Sequence, residues 1–268
     1  MKFTSVFATA VLAGTALAAP ERGLAARVKA RAANARGSRP LEMAEKPADA
    51  TNKTNAEYSN NWSGAVLQNP PSPAATYTAV TGTFTVPEPT GTGFGSSSAS
   101  AWVGIDGDTY SAAILQTGVD FTVTNGQASF DAWYEWYPEF SYDFNGIDIS
   151  AGDVIVSIVE SDSPSTGTAT IENRSTGQKV STRVSAPDSS SHLGGQNAEW
   201  IVEDFEQNGS LVNLVDFGTV VFTGAEAKTA NHQTVGLSGA TVIDLLQGNQ
   251  VVTDVTIDSD SSVTVKYV

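Results

Sequence analysis

From Tyr58 onward apolar residues recur at every second position, and turn residues interrupt each run before it reaches helical length. Val80, Gly82, Phe84 and Val86 alternate with threonines until Pro87 and Pro89 stop the run. Val154, Val156 and Ile158 alternate after Gly152-Asp153, and Val263, Val265 and Tyr267 do the same at the C-terminus. A period of two is the side-chain repeat of a half-buried strand, because successive Cβ atoms point to opposite faces of a sheet. Asn125-Gly126, Asn145-Gly146, Thr176-Gly177, Asn208-Gly209 and Gly248-Asn249 carry the residues that tight hairpins favour. Nothing longer than a turn has a helical period in this body. The pattern predicts one all-β sandwich, a class in which about 200 to 250 residues commonly form a single domain. Gly91 to Ser100 reads as a flexible Gly/Ser loop.

Charge divides the chain. Residues 1–54 carry nine Lys/Arg against four acids, whereas the remainder carries five against 25. The first residues read as a secretory signal: Lys2, an apolar run from Val6 to Leu17, and Ala16-Leu17-Ala18 as a small-residue cleavage site before Ala19-Pro20. This run is too short to span a bilayer, and no later stretch approaches about 20 apolar residues, so a secreted, extracellular protein is expected. Four Asn-X-Ser/Thr sequons, at Asn52, Asn61, Asn173 and Asn208, fit secretion. The expected organisation is a signal peptide over 1–18, a basic propeptide over 19–54 and a catalytic domain over 55–268. In the propeptide, Leu24 and Val28 stand at helical spacing in an Ala/Arg-rich stretch, and Pro40 and Pro47 end any helix. A cationic segment beside an anionic body suggests an intramolecular inhibitor, held near neutral pH and released as the body's carboxylates protonate.

Much chemistry is excluded. The chain has no cysteine, so thiol nucleophiles and disulfides are out. A Ser-His-Asp triad would need His192 or His232, both in loop-like polar stretches with no Gly-x-Ser-x-Gly elbow. Two scattered histidines give no zinc spacing, and Asp106-Gly107-Asp108 lacks the rest of a calcium loop. No cofactor or metal is expected. Phosphate-binding loops are absent, and the acidic body argues against nucleic acid as a partner.

Carboxylates remain, and two runs place them among aromatics. In Asp131 to Pro138, alternation puts Trp133, Glu135 and Tyr137 on one face and Tyr134 and Trp136 on the other. In Asn197 to Phe205 it puts Asn197, Glu199, Ile201 and Glu203 opposite Ala198, Trp200 and Val202. An acid on such a strand is a cleft residue or an edge-strand charge, and periodicity alone leaves both open.

Five ordered segments then carry a family resemblance: Ser59-Asn60-Asn61-Trp62-Ser63-Gly64, Ala101 to Gly107, Ile114-Leu115-Gln116-Thr117-Gly118, Asp131 to Pro138, and Asn197-Ala198-Glu199-Trp200. Over the whole body the chain resembles the fungal glutamic peptidases, the eqolisin family of acid proteases. The resemblance implies a β-sandwich of two curved antiparallel sheets of the concanavalin A-like or jelly-roll type, with protein and peptide substrates bound on the concave face. It implies that the family's catalytic glutamine and glutamate fall on Gln116 and Glu199, and that Trp62, Trp102, Asp106, Trp133 and Glu135 line the same cleft. A monomer is expected. Relatives often carry disulfides, and this chain has Tyr110 where a relative can have cysteine.

The chemistry agrees with that assignment. A carboxylate whose reference pKa is about 4.3 serves as base and then acid only in an acidic medium. Glu199 is expected to take a proton from water and return it to the leaving amine, with no covalent intermediate. Gln116 is expected to orient that water and to donate its amide N–H to the oxyanion. An amide stays a neutral donor at any pH, whereas one of two close carboxyls must hold a proton. Two rival readings stand beside this one. A jelly-roll glycoside hydrolase would pair Glu135 with Glu199, and a carbohydrate-binding module would use the aromatics without turnover. Gln116 separates them, because only the peptidase needs it.

Overall fold

The computed structural model describes residues 35–46, 56–91 and 94–268, so the expected signal peptide and most of the propeptide lie outside the described residues. No helix occurs among the described residues; twenty strands, β1 to β20 in chain order, form two large sheets and one small ribbon.

The front sheet has nine strands. From edge to edge these are β18 (Gln250–Val251), β17 (Thr241–Gln247), β3 (Trp62–Leu67), β12 (Ala198–Glu203), β5 (Ser96–Ile105), β6 (Ile114–Thr124), β7 (Gln127–Tyr137) and β8 (Tyr142–Asp143), with β2 (Ala56–Ser59) beside β17. The back sheet has eight: β11 (Gln178–Ser185), β10 (Thr166–Asn173), β9 (Val154–Ser163), β4 (Tyr77–Thr85), β15 (Thr219–Thr229), β20 (Ser262–Tyr267) and β19 (Thr253–Ser259), with β16 (Thr234–Val235) against β15. The ribbon joins β1 (Arg36–Gly37), β13 (Glu206–Gln207) and β14 (Ser210–Leu211). Every strand pairing among the described residues is antiparallel except that of β2 with β17. The architecture is the all-β sandwich that the alternation predicts.

One apolar core fills the space between the sheets. Phe84 and Phe222 meet edge to face from the back, while Leu115, Phe121, Trp136 and Trp200 enter from the front, all fully buried. The Trp200 indole N–H donates to the Thr81 carbonyl at 2.7 Å, which satisfies its one polar atom across the sandwich. Val80, Phe84, Val263 and Val265 face this core as the alternation indicates. In β9 the faces are exchanged: Ile155 and Val159 enter the core, so Val154, Val156 and Ile158 lie on the outer side.

Three of the turn dipeptides close hairpins with both residues at positive φ: Asn125-Gly126, Asn208-Gly209 and Gly248-Asn249. This is the type I′ geometry whose twist matches that of the strands. Thr176-Gly177 joins β10 to β11, whereas Asn145-Gly146 closes no hairpin and sits in the crossover from β8 to β9. The expected loop over Gly91 to Ser100 is shorter than its composition indicates. Ser96 and Ser98 belong to β5, their hydroxyls bonded at 2.9 Å to Thr124 and Thr122 of β6.

Candidate active site

Cross-strand pairing writes three rows over the outer face of the front sheet. The first row runs Val66, Glu199, Gly104, Gln116, Glu135. The second runs Gly64, Ile201, Trp102, Gly118, Trp133, and the third Trp62, Glu203, Ser100, Asp120, Asp131. Directly paired residues share a face. The even residues of β12 therefore build the sandwich core while Glu199, Ile201 and Glu203 turn outward, as the sequence pattern predicts.

Gly104 is the gap in the first row. Glu199 and Gln116 stand on either side of it, their backbones about 10 Å apart at ordinary strand spacing. A Cβ at position 104 would lie 3.2 Å from Glu199 Oε2 and 2.8 Å from the Trp102 ring. Glycine thus lets the Trp102 indole and the Glu199 carboxylate close over the backbone between the two groups. Both side-chain polar atoms of Gln116 and both of Glu199 are buried without a hydrogen-bond partner among the described residues. Each such orphan costs about 1–3 kcal/mol in a folded interior, and two facing pairs are a mark of a working site rather than of a core.

The tryptophans are fixed by a carboxylate. Glu203 Oε1 accepts the Trp62 indole N–H at 3.3 Å and Oε2 accepts that of Trp102 at 3.0 Å, with the two rings edge to face at 5.0 Å. Trp133 donates to Ser100 at 3.0 Å on the same face. Trp62, Trp102 and Trp133 thus come together with Val66, Ile114, Ile201 and Ile243 in an apolar floor.

Asp106 faces elsewhere. At φ 67° it turns its buried carboxylate to the backbone N–H groups of Gly194, Gly195, Gln196 and Asn197, at 2.6 to 3.3 Å. It anchors the loop that leads into β12, and so the position of Glu199. Tyr110 supports the same junction, its hydroxyl donating to the His192 carbonyl at 2.9 Å. Both histidines are exposed in loops.

Residues 35–46 lie across the three rows as a strap. The Arg36 guanidinium pairs with Asp120, bonds Ser100 at 3.1 Å, approaches Glu135 at 3.5 Å and stacks 3.9 Å above the Trp133 ring. The Ser38 N–H donates to both oxygens of Glu135, and the Arg39 N–H to Glu203 at 3.3 Å. Leu41 packs on the apolar floor and its N–H donates to the Gly107 carbonyl at 2.9 Å. Asn61 clamps the strap from the side. Its Nδ2 donates to the Arg39 and Pro40 carbonyls and its Oδ1 accepts the Glu42 N–H. Arg36–Gly37 adds as a third strand to the β13–β14 hairpin.

Burial dominates the acid–base behaviour. It pushes Glu199 well above the usual glutamate range, and the nearby charges of Asp106 and Asp108 add to that push. Burial also holds Glu135 well up, with Arg36 and the Ser38 N–H pulling down, and raises Glu203 to about 7. Asp106 stays above its ordinary value because burial outweighs its four backbone donors.

Of the expected site residues, Gln116, Glu199, Glu135, Trp62, Trp102 and Trp133 share one face, and Asp106 stands behind it. Sequence reasoning missed Glu203, Asp120 and Arg36 as site residues. The two-residue period placed Glu203 on the face of Glu199, and counting on from Gln116 places Asp120 likewise; Arg36 had only its charge to mark it.

Comparison with known proteins gives the family. A model described as the peptidase A4 family matches residues 60–267. Aspergillopepsin-2 of Aspergillus niger is 48% identical over 290 aligned positions, and scytalidopepsin B of Scytalidium lignicola 42% identical over 277, each alignment covering all of both chains. The solved structure of scytalido-glutamic peptidase with a transition state analog inhibitor superposes with a TM-score of 0.70 at 42% identity, over 78% of this chain and 98% of that one.

Proposed function

The chain belongs to the peptidase A4 family, the eqolisin or glutamic peptidases, and on that premise we propose that it is a secreted endopeptidase working in acid through Gln116 and Glu199. The observation that carries this is the partnerless amide and carboxylate facing each other across Gly104.

In this reading a water sits between the two groups and a substrate carbonyl lies against the Gln116 amide. Glu199, ionised in the encounter, takes a proton from the water as its oxygen attacks the carbonyl carbon. The Gln116 N–H donates to the oxyanion that forms. Glu199 then delivers the proton to the amide nitrogen, the C–N bond breaks, and the carboxylate is restored. The raised pKa strengthens Glu199 as the base of the first half and weakens it as the acid of the second; at about pH 3 the resting carboxyl is protonated, so it must give up that proton before it can take one from water. The apolar floor of Trp62, Trp102 and Ile201 excludes bulk water, which strengthens each of these interactions.

The strap supports a further element, that residues 35–46 inhibit the site before activation. Each contact that the strap makes with the carboxylates it covers lowers their pKa: Arg36 at Asp120 and Glu135, and the Ser38 N–H at Glu135. Contacts that favour the ionised form weaken as the carboxyls take up protons, so the strap is held near neutral pH and loosened in acid, where cutting then removes it.

The test is casein hydrolysis at about pH 3 by the acid-treated protein and by Gln116→Ala and Glu199→Gln. Wild-type turnover in either variant would refute the dyad. Absence of casein turnover in the wild type, with polysaccharide hydrolysis that Glu135→Gln abolishes and Gln116→Ala leaves intact, would favour the glycosidase pairing instead.

A further inference from the structure

Four sequons occur in the chain, and the structure separates the three that it describes. Asn173 is fully buried at the end of β10. Its Nδ2 donates to the Asp148 carbonyl at 2.9 Å and to Asp153 at 2.8 Å, while its Oδ1 accepts the Ser175 and Thr176 N–H groups. Both amide hydrogens are used and no room remains for a sugar. Asn61 is equally closed, with 1% of its surface exposed and its Nδ2 directed at the strap carbonyls of Arg39 and Pro40. A glycan there would occupy the strap's path across the site. Either modification would have to break a satisfied buried network, and an uncompensated buried polar group costs about 1–3 kcal/mol each.

Asn208 differs in every respect. It is exposed at the tip of the β13–β14 hairpin, at φ 56°, followed by exposed Gly209 and Ser210. The strands it joins are two residues each, and its backbone N–H is bonded to the Ala35 carbonyl. A sugar on its Nδ2 would project into solvent without disturbing the hairpin.

We propose that Asn208 is the N-glycosylation site of the folded body and that Asn61 and Asn173 stay bare. The inference rests on the secretion reading, since that route supplies the co-reactant, a lipid-pyrophosphate-linked oligosaccharide. The bond formed joins Asn208 Nδ2 to the anomeric carbon, the bond broken is that carbon's link to the pyrophosphate, which leaves, and the amide loses one proton. The glycan then stands at the rim of the site, on the hairpin that holds Arg36–Gly37 as its third strand.

The test is secretion of the full chain from a yeast host in an Asn52→Gln background, followed by endoglycosidase H and peptide mapping. That enzyme leaves one N-acetylglucosamine on the modified asparagine. It therefore marks the site even though an Asn-Gly pair such as Asn208-Gly209 deamidates on its own. The expected result is the residual sugar on Asn208 alone, and a gel shift that Asn208→Gln abolishes in protein still secreted at wild-type level. A secreted chain with Asn208 bare, or with sugar on Asn61 or Asn173, overturns the inference and leaves the secretion reading standing. A chain that keeps residues 1–18 and never leaves the cytosol overturns both.

Discussion

The Trp102 indole donates its N–H to Glu203 at one end, and the far edge of the same ring borders the space above Gly104 that Glu199 overhangs. A carboxylate four residues from the proposed base thus sets one wall of its pocket. Glu203→Gln keeps an acceptor for one indole but turns an NH₂ toward the other. Loss of one buried hydrogen bond, at about 1–3 kcal/mol, predicts a fall in kcat/KM of about 5- to 160-fold. Steady-state kinetics across pH on a peptide substrate, together with tryptophan fluorescence, will check it; unchanged kinetics would confine Glu203 to a structural part.

Gln116 and Glu199 should separate activity from stability. Gln116→Ala is expected to lower kcat by about 10² to 10³, the usual effect of removing one oxyanion donor. Glu199→Gln should abolish turnover yet raise the thermal midpoint at pH 7, where the native Glu199 must either ionise in a buried site or hold a proton against the solvent. At pH 3 the gain should vanish, because the acid is then protonated in both states. A midpoint lowered at pH 7 would contradict this.

Gly104→Ala places a methyl 2.8 Å from the Trp102 ring and 3.2 Å from Glu199. Overpacking of this kind costs about 1–3 kcal/mol, and displacement of a catalytic group by about 1 Å costs about 10²-fold in rate. Melting and casein turnover measured together should show a modest loss of stability beside a severe loss of activity.

Stability as a whole should be greatest in acid. Burial raises Glu203 and Asp204 to about 7 and Glu135 and Glu199 well upward. A group whose folded pKa lies above its unfolded value stabilises fully below the unfolded value and loses that contribution as pH rises through the folded one. Thermal midpoints should therefore decline from about pH 4 to above pH 7, with the unfolded reference for glutamate near about 4.3. A steady rise over that range would be inconsistent with these shifts.

The strap gives a further outcome. In the Glu199→Gln chain at pH 3, residues 35–46 should remain uncut, whereas the wild-type chain should lose them. Intact mass at successive times distinguishes the two; a strap cut from the inactive variant at the same rate would show that the site does not cut its own strap.

How much was legible in the sequence depended on what each feature needed. Alternation in β4, β12 and β20 fixes which residues face the core because period and face are the same quantity in a strand. In β9 both faces carry aliphatic residues, Val156 and Ile158 against Ile155 and Val159, so the pattern cannot say which is inward. Asn125-Gly126 and Asn208-Gly209 name their turns through the φ values they permit, while Asn145-Gly146 carries the same letters without a partner strand. The pairing of Gln116 with Glu199 spans more than eighty residues and no local rule reaches it; resemblance supplied the pair, and the register through Gly104 supplies its reason. Asp106 illustrates the opposite case. The resemblance implied a place in the cleft, and its partners are backbone groups some ninety residues away.

Because Glu199, Gly104 and Gln116 all lie inside strands, the site inherits the all-or-none character of strand register. A slip of β12 by a single residue would bring Trp200 out over Gly104 and drive Glu199 between the sheets, exchanging an indole and a carboxylate in one step. No partly slipped arrangement keeps the proposed dyad. On the proposed mechanism turnover is therefore a sensitive reporter of correct pairing: a refolded molecule that cuts peptide has its central strands aligned, and a preparation's specific activity measures the fraction that does.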